Sequence, residues 1–134
     1  MVKTLLWLDD YRNPFDESNW IVFSPIPHPF TTVWVTNYNE FVSWITTNGL
    51  PDAICFDHDL SDFQIFASCC PELMKDVPWP EHEKTGMDCV KWLVDYCMDN
   101  QLPLPLYNFQ TANPVGKENM KSYLDNYIKI SSMR

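Results

Sequence analysis

The sequence has no cysteine pair at metal-knuckle spacing, no long apolar run, and half as many basic as acidic side chains, and each shortage removes a class of function. Its five cysteines, Cys55, Cys69, Cys70, Cys89 and Cys97, form an odd set without a CxxC, which speaks against a disulfide framework or a zinc knuckle. Cys55, Cys89 and Cys97 stand at apolar positions and are expected to pack as small hydrophobes, while adjacent Cys69-Cys70 reads as a surface pair kept reduced. No apolar stretch approaches the roughly 20 residues of a membrane helix, and Met1-Val2-Lys3 leads into a strand without the segments of a signal peptide, so the expectation is a cytoplasmic protein without a membrane partner. Nine basic against 18 acidic residues leave a formal charge of −9, which repels nucleic-acid backbones and makes non-specific DNA or RNA binding an unsuitable role. No internal repeat or low-complexity segment is visible.

What is present is one domain's worth of chain, 134 residues with 46% hydrophobic and 20% charged content. Short apolar runs alternate with helical patterns. Thr4–Leu8, Val33–Thr36, Ala53–Phe56 and Leu106–Gln110 read as strands, with a further short strand expected at Trp20-Ile21-Val22-Phe23. Between the first two strands, Pro25, Pro27 and Pro29 rule out a helix and predict an extended connection. Asn37 is placed to cap a helix presenting Tyr38, Phe41, Val42 and Ile45 on one face, with Gly49 at its end. Thr85-Gly86-Met87-Asp88 reads as a capping box opening a helix with Met87, Val90, Leu93, Val94 and Cys97 on its buried stripe. Asn113 as N-cap and Pro114 at the first helical position open a last helix with Met120, Tyr123, Leu124, Tyr127 and Ile128 on its apolar face. The stretch 61–84 shows no sustained period and is expected to be an irregular insertion, a lid or binding loop, with Phe63, Ile65, Phe66 and Trp79 partly buried.

Strands joined by helical crossovers make a parallel sheet, and the expected order is 2-1-3-4 in a single domain spanning 1–134. Strands 1 and 3 are then neighbours at a topological switch point, and both end in acids: Asp9-Asp10 after the first, Asp57-His58-Asp59 after the third. Asp9, Asp10 and Asp57 are hard oxygen ligands suited to Mg²⁺ or Mn²⁺, with Asp59 as an outer candidate. His58 is placed to move a proton near neutral pH or to donate to a phosphate oxygen; the plainer alternative is a satisfied histidine beside the sheet. Thr111 and the helix capped by Asn113 suit an anion, as does Lys117 in that helix's first turn. Arg12 is suited to holding a phosphate, or else to pairing with an acid, and Lys84 is a further candidate of the same kind.

The motifs Leu6-Trp7-Leu8-Asp9-Asp10-Tyr11-Arg12-Asn13-Pro14, Phe56-Asp57-His58-Asp59-Leu60, Lys84-Thr85-Gly86-Met87-Asp88-Cys89 and Thr111-Ala112-Asn113-Pro114-Val115-Gly116-Lys117-Glu118-Asn119 resemble the cyclic-phosphate-processing receiver domains, diverged relatives of response-regulator receivers. The resemblance implies a receiver (flavodoxin-like) three-layer α/β sandwich. By it Asp9 and Asp10 match the receiver acidic pair, Asp57 the phosphoacceptor position and Thr111 the hydroxyl position around Mg²⁺. The chain departs from ordinary receivers in lacking room for a fifth strand and its lysine, for which Lys117 is the candidate replacement, and in losing the first helix to prolines. The activity implied is Mg²⁺-dependent hydrolysis or ring opening of a cyclic phosphate on a nucleotide or RNA-derived ligand. The alternatives are a non-catalytic nucleotide- or protein-binding module and a phosphoacceptor switch.

Overall fold

A computed structural model describes residues 2–16 and 20–133. Strand β1 (Lys3–Leu8) pairs in parallel on one side with β2 (Phe30–Val35) and on the other with β3 (Ala53–Phe56), which pairs in parallel with β4 (Leu106–Phe109). Among the described residues the sheet therefore has four strands in the order 2-1-3-4, as the alternation of apolar runs predicts. All four residues of β3 are buried, and so are the last four of β1. This is the burial of central parallel strands covered on both faces, and it is why their sequences are unbroken apolar runs.

The two faces are covered unequally. Leu6, Leu8, Ile54, Phe56 and Phe109 point into the larger core, where α1 (Tyr38–Asn48) contributes Phe41 and Ile45, α4 (Gly86–Asn100) contributes Val90 and Leu93, and α5 (Pro114–Ser132) contributes Met120 and Leu124. Leu5, Trp7, Ala53 and Cys55, with Phe30 and Trp34 of β2 beside them, face the other way and meet a thin layer: Ile26 and a single 3-10 turn, Trp20–Phe23. The strand expected at Trp20–Phe23 is this turn. Its apolar residues wrap over the sheet instead of joining it, with Val22 74% exposed. The third layer of the sandwich is thus a strap, tied down where Asn108 Nδ2 donates to the Phe23 carbonyl at 2.8 Å.

The helix boundaries follow local chemistry. The Asn37 side chain accepts from the Glu40 amide, and Gly49 ends α1 at φ +85°, a conformation that a side chain strains. The Thr85–Asp88 capping box is complete, its two reciprocal bonds closing the first turn of α4. Asn113 caps α5 through the Gly116 amide, with Pro114 in the first turn. Of the stripe expected on α5, Ile128 lies outside the core, 44% exposed.

The stretch 61–84 is more regular than its sequence suggests. It carries α2 (Asp62–Cys69), capped by Ser61, and the short α3 (Pro71–Met74). Phe63 is partly buried against the Trp79 ring and Ile65, Phe66 and Trp79 are about half-buried, and the segment is fastened by a buried amide: Gln64 accepts from the Leu60 amide and donates to the Glu83 carboxylate and the Lys84 carbonyl. A helix that buries glutamine rather than leucine has no apolar stripe to read. Among the described residues no helix is long and apolar enough to cross a membrane.

Candidate functional site

The register of the sheet builds the site. Leu8 is level with Phe56, and Phe56 with Phe109, so the next residues, Asp9, Asp57 and Gln110, emerge together at the carboxyl edge. The ladder runs one step further: the Asp57 amide donates to the Leu8 carbonyl at 3.0 Å and the Gln110 amide to the Phe56 carbonyl at 3.1 Å. The expected meeting of the β1 and β3 tips is therefore a product of strand pairing. Asp9, Asp10 and Asp57 each bring a carboxylate oxygen within 4.8 Å of the others, a set able to hold a metal ion.

The three acids are not equivalent. Asp9 is wholly buried and saturated: Oδ1 accepts from the amides of Tyr11 and Arg12, both at 2.9 Å, and Oδ2 accepts from Arg12 Nη1 at 3.2 Å and Gln110 Nε2 at 3.3 Å. The turn carrying Asp10 and Arg12 is pinned by two indoles, Trp34 Nε1 donating to the Asp9 carbonyl and Trp7 Nε1 to that of Arg12. Asp57 accepts from the His58 amide at 2.9 Å and from the Thr111 hydroxyl. Burial first, and the Asp9 charge second, push its pKa up to about 7 against the opposing pull of Thr111 and Arg12. Asp10 is raised as well, by burial and then by repulsion from Asp9. Arg12, 3.2 Å from Asp9 and 3.8 Å from Asp57, offsets part of this crowding and stacks over the Trp20 ring.

A second cluster flanks the first. His58 Nδ1 lies 2.8 Å from Asp59 Oδ1, Ser68 Oγ donates to the same oxygen at 3.0 Å, and Asn113 Nδ2 donates to Ser68 Oγ at 3.1 Å. The carboxylate contact favours the proton on Nδ1 and leaves Nε2 as the imidazole's acceptor. Two glycines make room. A Cβ on Gly116 would stand 2.5 Å from the His58 ring, and one on Gly86 would stand 1.9 Å from the Asp57 carbonyl oxygen.

An open cavity of about 390 Å³ joins the clusters, with Asp10, Arg12, Asp57, Asp59, Thr111 and Asn113 on its polar walls and Tyr11, Ile65 and Pro114 on its apolar ones. Of the residues picked from sequence, Asp9 and His58 stand directly behind this lining. Lys117 is exposed on the first turn of α5, away from the lining, and Lys84 lies over the Tyr38 ring beside a separate depression. Sequence reasoning missed Gln110, Ser68, Gly86 and Gly116. Gln110 was detectable as a polar residue level with Asp9 and Asp57 at the end of an apolar strand; Ser68 carried no signal.

The site lies where a receiver-type α/β domain carries its own: acids at the tips of two adjacent parallel strands, and a hydroxyl at the tip of the strand beyond. The chain belongs to the cyclic-phosphate processing receiver domain family, which it matches over residues 4–126. No curated protein and no solved structure gives a significant match.

Proposed function

We propose that the protein hydrolyses or opens a cyclic phosphate carried by a nucleotide or an RNA-derived ligand in the cavity between β1, β3 and β4. The observation that carries this reading is the convergence on one open cavity of the aspartate trio, the Thr111 hydroxyl and the Arg12 guanidinium. Asp9, Asp10 and Asp57 fit a divalent cation: they are hard oxygen donors, mutually close, and two of them are held toward protonation by burial and then by the charge of Asp9. When bound there, Mg²⁺ or Mn²⁺ supplies Lewis-acid polarisation of phosphoryl oxygens.

The chain's own groups do the rest. Arg12 and Thr111 bind the non-bridging oxygens, and Asn113 holds Asp59 toward the ligand. Hydrolysis adds water to phosphorus and breaks one ring P–O bond, so one proton leaves the water and one reaches the departing oxygen. Asp59 faces the cavity and His58 is bonded behind it, and together they accept the first proton and return the second. The family's description supports a cyclic-phosphate ligand.

The test is a panel of 2′,3′-cyclic phosphates, 3′,5′-cyclic nucleotides and cyclic dinucleotides incubated with protein and Mg²⁺ or Mn²⁺. At least one is expected to turn over, and folded Asp57→Asn is expected to lose roughly 10²–10³-fold of that rate. A wholly inert panel removes the proposal. A second reading, a phosphoacceptor site, is favoured by the Thr111 hydroxyl on Asp57. Stable labelling of Asp57 by a small phosphodonor, with the panel inert, would select it.

A further inference from the structure

Gln110 is nearly buried, 4% exposed, yet its amide reaches across β3 from the tip of β4 to the tip of β1. Both hydrogens of Nε2 are used, one on the Leu8 carbonyl at 2.9 Å and one on Asp9 Oδ2 at 3.3 Å. The amide cannot be turned over, because Oε1 would then face two acceptors. In the orientation so fixed, Oε1 is buried and meets no donor among the described residues. A buried acceptor without a donor calls for an explanation, and this one shares its amide carbon with the nitrogen that bonds the Asp9 carboxylate. The residue after Gln110 is Thr111, whose hydroxyl bonds Asp57, so the Gln110 bridge also sets where that hydroxyl stands.

We infer that Gln110 is a positioning residue of the acidic site: Nε2 aims Asp9 and fixes the gap between the tips of β1 and β4, while Oε1 is held ready for a hydroxyl or water that arrives with the ligand. The inference rests on reading the three aspartates as a cation cradle. It acts through the Asp9 carboxylate, whose other donors among the described residues all come from its own turn, so that among them Gln110 alone ties this carboxylate to β4.

The test is Mn²⁺ affinity without any phosphate ligand, measured on wild type, Gln110→Leu, Asp9→Asn and the double variant, each verified as folded. Gln110→Leu keeps the volume and removes donor and acceptor. It is expected to weaken Mn²⁺ by roughly 10–100-fold, the usual effect of losing an outer partner of a metal ligand. In the Asp9→Asn background the same change is expected to cost little more, because both act on one carboxylate. An unchanged Mn²⁺ affinity in Gln110→Leu, or losses that simply multiply, overturns the inference. As a check that needs no variant, the side-chain amide signals of Gln110 in wild type are expected to shift when Mg²⁺ is titrated, and signals that stay put also overturn it. Wild type that ignores Mn²⁺ sinks the cradle and this inference together. An inert phosphate panel with Mn²⁺ binding still dependent on Gln110 sinks only the proposed chemistry.

Discussion

Asp57 concentrates the cost of the site in one carboxyl group. Its pKa in the folded protein, about 7, lies above that of an unfolded aspartate, so the native state holds a proton that the unfolded chain has already lost. Asp57 therefore takes stability away as pH rises from about 4 to about 7, after which the penalty is constant. Asp57→Asn abolishes it. Thermal unfolding of the metal-free protein at pH 8 is expected to show the variant melting about 3–5 °C higher for each kcal/mol relieved, with the gap closing near pH 4. Equal melting temperatures at both pH values would mean that Arg12 and Thr111 already neutralise the site. The Arg12 guanidinium meets the Asp9 carboxylate through one nitrogen and stands 3.8 Å from Asp57, a loose arrangement for a group capable of two parallel bonds. Arg12→Gln is accordingly expected to lower stability in the absence of divalent ions and to recover it when Mg²⁺ is added, readable as a larger Mg²⁺-induced rise in Tm than in wild type.

At the scale of elements, two joints fix the site to the helices. Thr85 and its capping box start α4, and Thr85→Ala is expected to cost about 1 kcal/mol in denaturant unfolding without altering ligand binding. Gly86 is different. Its amide donates to the His58 carbonyl at 2.8 Å and its Cα rests on the Asp57 carbonyl, so even a methyl group must push α4 off the β3 tip. Gly86→Ala is expected to destabilise more than Thr85→Ala and, unlike it, to weaken Mn²⁺ binding; equal effects on both would show that the contact is dispensable. This contrast also explains what the sequence disclosed. Strand order, the acidic tips and the caps at Asn37, Thr85 and Asn113 were legible because period, paired acids and capping residues are local signals. The turn at Trp20–Phe23 was not, since an apolar run of four residues suits a strand or a wrap equally, and only its place beneath Trp7 decides. Nor was α2, whose buried side is a glutamine. Gln110 lay in plain view as a strand residue, but its use depends on a partner 102 positions away.

The whole molecule carries its charge against its proposed ligand. With 18 acidic and 9 basic residues, the long-range field repels an anionic phosphate, while Arg12 and Thr111 act on it at contact distance. Salt screens the first and hardly touches the second. Binding of a phosphorylated ligand is therefore expected to tighten as ionic strength rises from about 20 to about 200 mM, the reverse of a nucleic-acid-binding protein, whose affinity falls steeply over that range. A titration that weakens with salt would place the interaction on surface cations instead.

The bridge from Gln110 to Leu8 has a consequence in time. During synthesis β1, β2 and β3 have all left the ribosome before Gln110 is joined to the chain, and until it arrives the Asp9 carboxylate lacks the one donor, among the described residues, that reaches it from beyond its own turn. A nascent or prematurely ended polypeptide carries every acid of the trio but not the brace that aligns them. Alignment of the trio thus waits for the last of the four described strands to be made.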